Sequence, residues 1–159
     1  MRWMTVLIVF NVLLSSQDVA SSTSPVPLHI RESAKKFHLD PILLYALCKV
    51  ETGCKTTINH NDGTKRQKDL GITSKSYGMF QIKLATAKGL GFKGNYEKLM
   101  QPHVNSYYAA KYIRTVYDKY HDTLLVLSAY NAGKPIKSNK AYVDKVSRLY
   151  VKYKVDGRY

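Results

Sequence analysis

Apolar residues along this chain recur mostly at helical spacing. In the stretch KAYVDKVSRLYVKY, residues Tyr142, Val143, Val146, Leu149, Tyr150 and Tyr153 share one face, and between Asn105 and Tyr120 the residues Tyr108, Tyr112, Val116 and Tyr120 recur every four positions. Both stretches predict amphipathic helices. LHIRESAKKFHL predicts a short first helix, broken at Asp40-Pro41. The next segment, PILLYALCKVET, is apolar nearly all round, as a buried helix is; Asp40 supplies its N-cap, Pro41 its first residue and Gly53 its stop. Helical patterning continues in IKLATAKGLG and in DTLLVLSAYNAG, the latter capped by Asp122 and closed by Gly133. Thr56 to Ser76 is polar and holds an Asp62-Gly63 turn signal, so a small β-hairpin or ordered loop is expected there. The predicted fold class is mainly α, a compact helical domain with at most a minor β element.

The beginning of the chain has a different character. Arg2, the apolar run from Trp3 to Leu14 and the small polar stretch after it have the layout of a secretory signal. The run is shorter than the about 20 residues a membrane span needs. The expectation is a cleaved signal over residues 1–22 that meets a membrane only during export, a Ser/Thr/Pro linker from Ser21 to Pro27, and one domain over residues 23–159. The protein would then work in the periplasm or be secreted.

The net charge is +14, and since residues 1–22 hold one base, Arg2, and one acid, Asp18, the rest keeps the same excess. Bases recur from Lys35 to Arg158 without a compact block, which argues against a nucleic-acid-binding tail and for a generally cationic surface. An exported cationic protein meets an anionic cell wall; the alternative is that the charge only maintains solubility. The two cysteines, Cys48 and Cys54, lack the paired spacing of a zinc site, and the five histidines show no ligand spacing. Gly53 could turn the chain and bring Cys54 back to form a disulfide; two separate buried thiols are the alternative.

Between those cysteines stands Glu51, at the end of the apolar helix. Burial and the negative end of the helix dipole would both raise its pKa. A carboxyl group that stays protonated near neutrality is what a general acid acting on an acetal oxygen requires. The alternative is a solvent-facing Glu51 paired with Lys49 or Lys55.

Two further segments change the balance. SYGMFQI (Ser76 to Ile82) and LSAYNAGKP (Leu127 to Pro135) follow ALCKVETG (Ala46 to Gly53) in an order and spacing that resemble the soluble lytic transglycosylase family, lysozyme-like enzymes that cleave the glycan strands of bacterial peptidoglycan. Glu51-Thr52 matches the family's Glu-Ser motif, Gly78-Met79-Phe80-Gln81 its Gly-Leu-Met-Gln motif, and Ala129 to Gly133 its Ala-Tyr-Asn-Ala-Gly motif outright. AYVDKV (Ala141 to Val146) is similar to its closing Tyr-Val segment. Thr52 departs from the usual Ser and keeps the hydroxyl, Met79-Phe80 changes the shape of an apolar wall, and the loop between Glu51 and Gly78 is somewhat long.

The resemblance implies a lysozyme-like α+β fold and Glu51 as the single catalytic residue. It implies a glycan groove built from Thr52, Ser76, Gly78, Met79, Gln81, Tyr130, Asn131 and Tyr142, with no cofactor and no metal. The substrate would be the MurNAc–GlcNAc bond of peptidoglycan and the product a 1,6-anhydromuramoyl end. Specialised members of the family serve secretion or conjugation machines, which would make such an apparatus a partner. The residue types fit in part. Gly78 admits close backbone approach, Gln81 offers donors and an acceptor, and Tyr130 and Tyr142 offer flat faces with polar tips. Core packing is the alternative for either tyrosine, and capping of its own helix for Asn131. Two other functions stay open: a muramidase hydrolase using Asp62 or Asp69 as second carboxylate, and a non-catalytic wall-binding module.

Overall fold

The computed structural model describes residues 24–55 and 76–156. The expected signal, the Asp62-Gly63 turn and Asp69 lie outside the described residues. Among those described, the chain forms α1 (Leu28–Lys36), α2 (Pro41–Thr52), a hairpin of β1 (Ser76–Tyr77) and β2 (Ile82–Lys83), and then α3 (Leu84–Gly89). There follow α4 (Tyr96–Met100), α5 (Pro102–Tyr120), α6 (Thr123–Ala132), a 3-10 turn (Lys137–Asn139) and α7 (Lys140–Val155). The mainly α class read from the sequence is the observed one, with a two-stranded antiparallel sheet as its β element.

Helix α2 forms where local signals dictate. The Asp40 carboxylate accepts the Ile42 N–H at 2.8 Å, Pro41 occupies the first turn, and Gly53 takes the left-handed conformation (φ 69°) that ends the helix. Its apolar circumference is enclosed by α1 on one side and α7 on the other. Helix α7 runs antiparallel to α2 and is fastened to it at both ends. At one end the Tyr142 hydroxyl meets Glu51; at the other, Asp40 accepts from the Tyr150 hydroxyl at 2.9 Å and from the Lys154 ammonium at 2.8 Å. Between these ties Leu44, Leu47, Phe80, Ile113, Leu127 and Val146 close a single core.

Three features differ from the sequence reading. Val26, expected in a linker, is buried in the core. Helix α4 was not expected, because five residues are too few to display a helical period; Asn95 starts it by accepting the Lys98 N–H. The observed hairpin is formed by the SYGMFQI segment itself, reversing direction over Gly78 to Gln81, both of which have positive φ.

Candidate active site

Glu51 lies on the last turn of α2, facing α7. Its Oε1 accepts the Tyr142 hydroxyl at 2.5 Å, and Lys145, one turn further along α7, adds a positive charge nearby. Burial raises the Glu51 pKa, and the Tyr142 hydrogen bond and the Lys145 charge offset that only in part. The Asp40 carboxyl, at the far end of α2, is by contrast held below its ordinary value, because burial there is outweighed by its hydrogen bonds. Glu51 is partly exposed and pairs with Tyr142, while Lys49 lies over the Tyr45 ring, 5.0 Å from its centroid.

The site's tyrosines remain phenols. Burial, followed by the Glu51 charge and hydrogen bond, pushes Tyr142 far above the usual phenol range, so it serves Glu51 as a donor. Tyr130 is raised too, first by burial and then by the nearby Glu51, Tyr142 and Tyr112. The carboxyl group therefore stands beside phenols that keep their own protons.

The hairpin turn beside it is held by side chains from three helices. Four consecutive carbonyls each accept a side-chain donor: Tyr77 from Asn105 Nδ2 at 2.9 Å, Gly78 from Gln81 Nε2 at 2.9 Å, Met79 from Thr52 Oγ1 at 2.8 Å, and Phe80 from the Tyr130 hydroxyl at 2.7 Å. Asn105 also accepts the Phe80 N–H at 2.8 Å and donates to the Leu99 carbonyl at 3.0 Å, which employs its whole amide. A buried turn has no water for these groups, so the protein must supply each partner. Gly78 is required at φ 71°, because a Cβ there would overlap the Asn105 amide.

This wiring gives several of the residues expected in the groove partners within the protein. Met79 is 1% exposed, and Ser76 and Thr52 are buried, so in this structure they form the wall rather than the groove surface. Tyr130 is buried against Tyr112, ring centroids 5.6 Å apart, and its hydroxyl belongs to Phe80, so it offers no free face to a sugar. Tyr142 is engaged with Glu51. Gln81 is half-buried with its amide N–H on Gly78, and Asn131 is exposed at the end of α6, whose cap is Gly133. The structure thus gathers Thr52, Tyr130 and Tyr142 around Glu51 and leaves Asn131 outermost. Cys48 and Cys54 are paired as a disulfide with Cα atoms 5.0 Å apart, and the Cys54 N–H reaches back to the Cys48 carbonyl around Gly53. Sequence reasoning missed Asn105. Its signal was a lone amide on the stripe that continues into Tyr108 and Tyr112, where a polar group must have buried partners.

The family model described as the transglycosylase SLT domain matches residues 29–148. Among solved structures, that of an inactive glutamate-to-glutamine mutant of lytic transglycosylase Slt from Pseudomonas aeruginosa superposes with a TM-score of 0.65 at 19% identity. The match covers 80% of this chain and 24% of that one. It is a likeness of fold, and the chain spans about a quarter of that protein's length.

Proposed function

The chain belongs to the transglycosylase SLT domain family, and from that premise we propose that it is a peptidoglycan lytic transglycosylase with Glu51 as its single catalytic carboxyl. The bond cleaved is the one between MurNAc and GlcNAc. In the first step the Glu51 proton passes to the leaving GlcNAc oxygen as the bond to the muramoyl C1 breaks, with the substrate's own N-acetyl oxygen closing on C1. In the second, the Glu51 carboxylate takes the proton of the C6 hydroxyl, O6 attacks C1 and displaces the acetamido oxygen, and a 1,6-anhydro ring remains. The acid is regenerated and no water is consumed.

The observation that carries this reading is the environment of Glu51, a partly buried carboxyl whose pKa burial raises and which, among the described residues, accepts a phenol hydroxyl on Oε1. Tyr142 fixes that oxygen and leaves Oε2 to exchange the proton with substrate. When Glu51 ionises in the first step, the Tyr142 hydrogen bond and the Lys145 charge stabilise the carboxylate until it acts as base.

Mass spectrometry of fragments from purified peptidoglycan tests the reaction. Muramoyl ends one water lighter than hydrolysed ends support it; hydrolysed ends throughout would make the protein a muramidase. Asp62→Asn and Asp69→Asn are expected to keep substantial turnover, and a deep loss in either would assign a second carboxylate. The apolar leader supports export as a further part of the reading, which places the enzyme at the wall and within reach of a secretion or conjugation apparatus. The N-terminal sequence of the exported protein checks the cleavage.

A further inference from the structure

Beside the first turns of α5 lies a cavity of about 480 Å³. Asn105 and Ser106 of α5 meet the hairpin, while His103, Val104, Tyr107 and Tyr108 of the same helix line this cavity. Phe92 and Lys93, from the loop after α3, and Lys98, from α4, complete the wall.

The rings are fixed. Phe92 meets Tyr108 edge-on at 5.0 Å, Tyr107 meets Tyr108 edge-on at 5.1 Å, and Phe37 supports Tyr107 from behind at 5.1 Å. Phe92 is buried, so Tyr107 and Tyr108, both partly exposed, are the rings that present apolar surface, at little entropic cost to a ligand. The charge is one-sided. No Asp or Glu lines the cavity, and the ion pairs among the described residues, Arg114–Asp118, Lys140–Asp144 and Lys154–Asp40, all lie elsewhere. Lys93 and Lys98 are exposed at its mouth, and Lys36 stands 5.1 Å from the Tyr107 ring centroid.

From this combination we propose that the cavity is a second, non-catalytic binding site for a peptide-bearing muramoyl sugar, rings taking the sugar's apolar face and Lys93 and Lys98 the carboxylates of its peptide. The volume lies within the usual range of small-molecule pockets. A neutral sugar would leave both lysines without a partner, and a bare anion would leave the rings uncovered. The proposal rests on peptidoglycan being the substrate, and it gives the enzyme a hold on the wall apart from the bond being cut.

The test is an amide NMR titration of isotopically labelled Glu51→Gln protein, which cannot turn over its ligand under the mechanism above. The probes are N-acetylmuramoyl dipeptide and the neutral disaccharide of N-acetylglucosamine. The muramoyl dipeptide is expected to shift the Phe92, Gly94, Tyr107 and Tyr108 signals saturably, and the neutral disaccharide to shift them far less. A Lys93→Ala, Lys98→Ala variant, altered only at exposed positions, should bind the dipeptide at least ~10-fold more weakly. Absence of saturable shifts at these residues, equal response to the neutral sugar, or undiminished binding by the double variant would overturn the proposal. Failure of the catalytic reading is distinct, because it appears as turnover by the Glu51→Gln protein.

Discussion

The Tyr142 hydroxyl donates to the Glu51 carboxyl group across the contact between the start of α7 and the end of α2. This bond lowers the pKa of a group that burial raises. Tyr142→Phe keeps the ring and removes the donor, so the Glu51 pKa should rise further. If Glu51 must begin the reaction protonated, the alkaline limb of the kcat/KM profile should move to higher pH by about one unit, the scale of one hydrogen bond. A limb that stays in place or moves to lower pH would show that Tyr142 does not tune Glu51.

The hairpin wiring predicts an order of stabilities. Asn105→Ala strands the Tyr77 and Leu99 carbonyls and the Phe80 N–H in the core and should cost at least about 3 kcal/mol. Thr52→Val strands only the Met79 carbonyl and should cost about 1 to 2 kcal/mol, while Thr52→Ser keeps the donor. Urea denaturation ranks the three, and an Asn105→Ala protein as stable as the parent would remove Asn105 from the network.

The tie at the other end of α2 and α7 predicts an acid dependence. Burial works to raise the Asp40 pKa, but the Lys154 ammonium, the Ile42 N–H and the Tyr150 hydroxyl together hold it below its ordinary 3.8. A folded pKa below the unfolded one means the contribution is complete above the unfolded value and disappears as pH falls through the folded one. Asp40→Asn retains an N-cap and removes the charge. The melting-temperature gap between parent and variant should therefore be constant near neutrality and close as pH drops below 3.8. A gap independent of pH would mean the charge contributes nothing.

These ties also show what could be read from sequence. The limits of α2 were legible because Asp40, Pro41 and Gly53 act within a few residues of the ends they fix, and α7 because its tyrosines and valines repeat over several turns. The place of Glu51 on the last turn of an apolar helix was legible for the same reason. The hairpin position and the role of Tyr130 were not, since the partners of Met79 and Phe80 lie 27 and 50 residues away along the chain. A tyrosine suits a sugar face and a buried carbonyl equally well, and only the fold decides between them. Asn105 joins two segments that no local pattern connects.

The Cys48–Cys54 pairing fastens the turn that follows Glu51. The native protein should gain the mass of two hydrogens on reduction, and its cysteines should resist alkylation. The closed loop is short, so a Cys48→Ala, Cys54→Ser variant should lose about 2 to 3 kcal/mol at most. A displacement of the carboxyl group by about 1 Å is enough to cost much of the rate, so activity should fall more than stability does. Two freely alkylated cysteines in the native protein would leave the environment of Glu51 to helix burial alone.

The most direct measurement is turnover of purified peptidoglycan by Glu51→Gln, with circular dichroism and sedimentation on the insoluble wall as controls for fold and binding. The substitution preserves size and removes the transferable proton. The mechanism predicts a fall in rate of at least ~100-fold, the scale of general acid catalysis, in a protein that still folds and still sediments with the wall. A folded variant that releases fragments at close to the parent rate would contradict Glu51 as the acid, and with it the one-carboxyl mechanism.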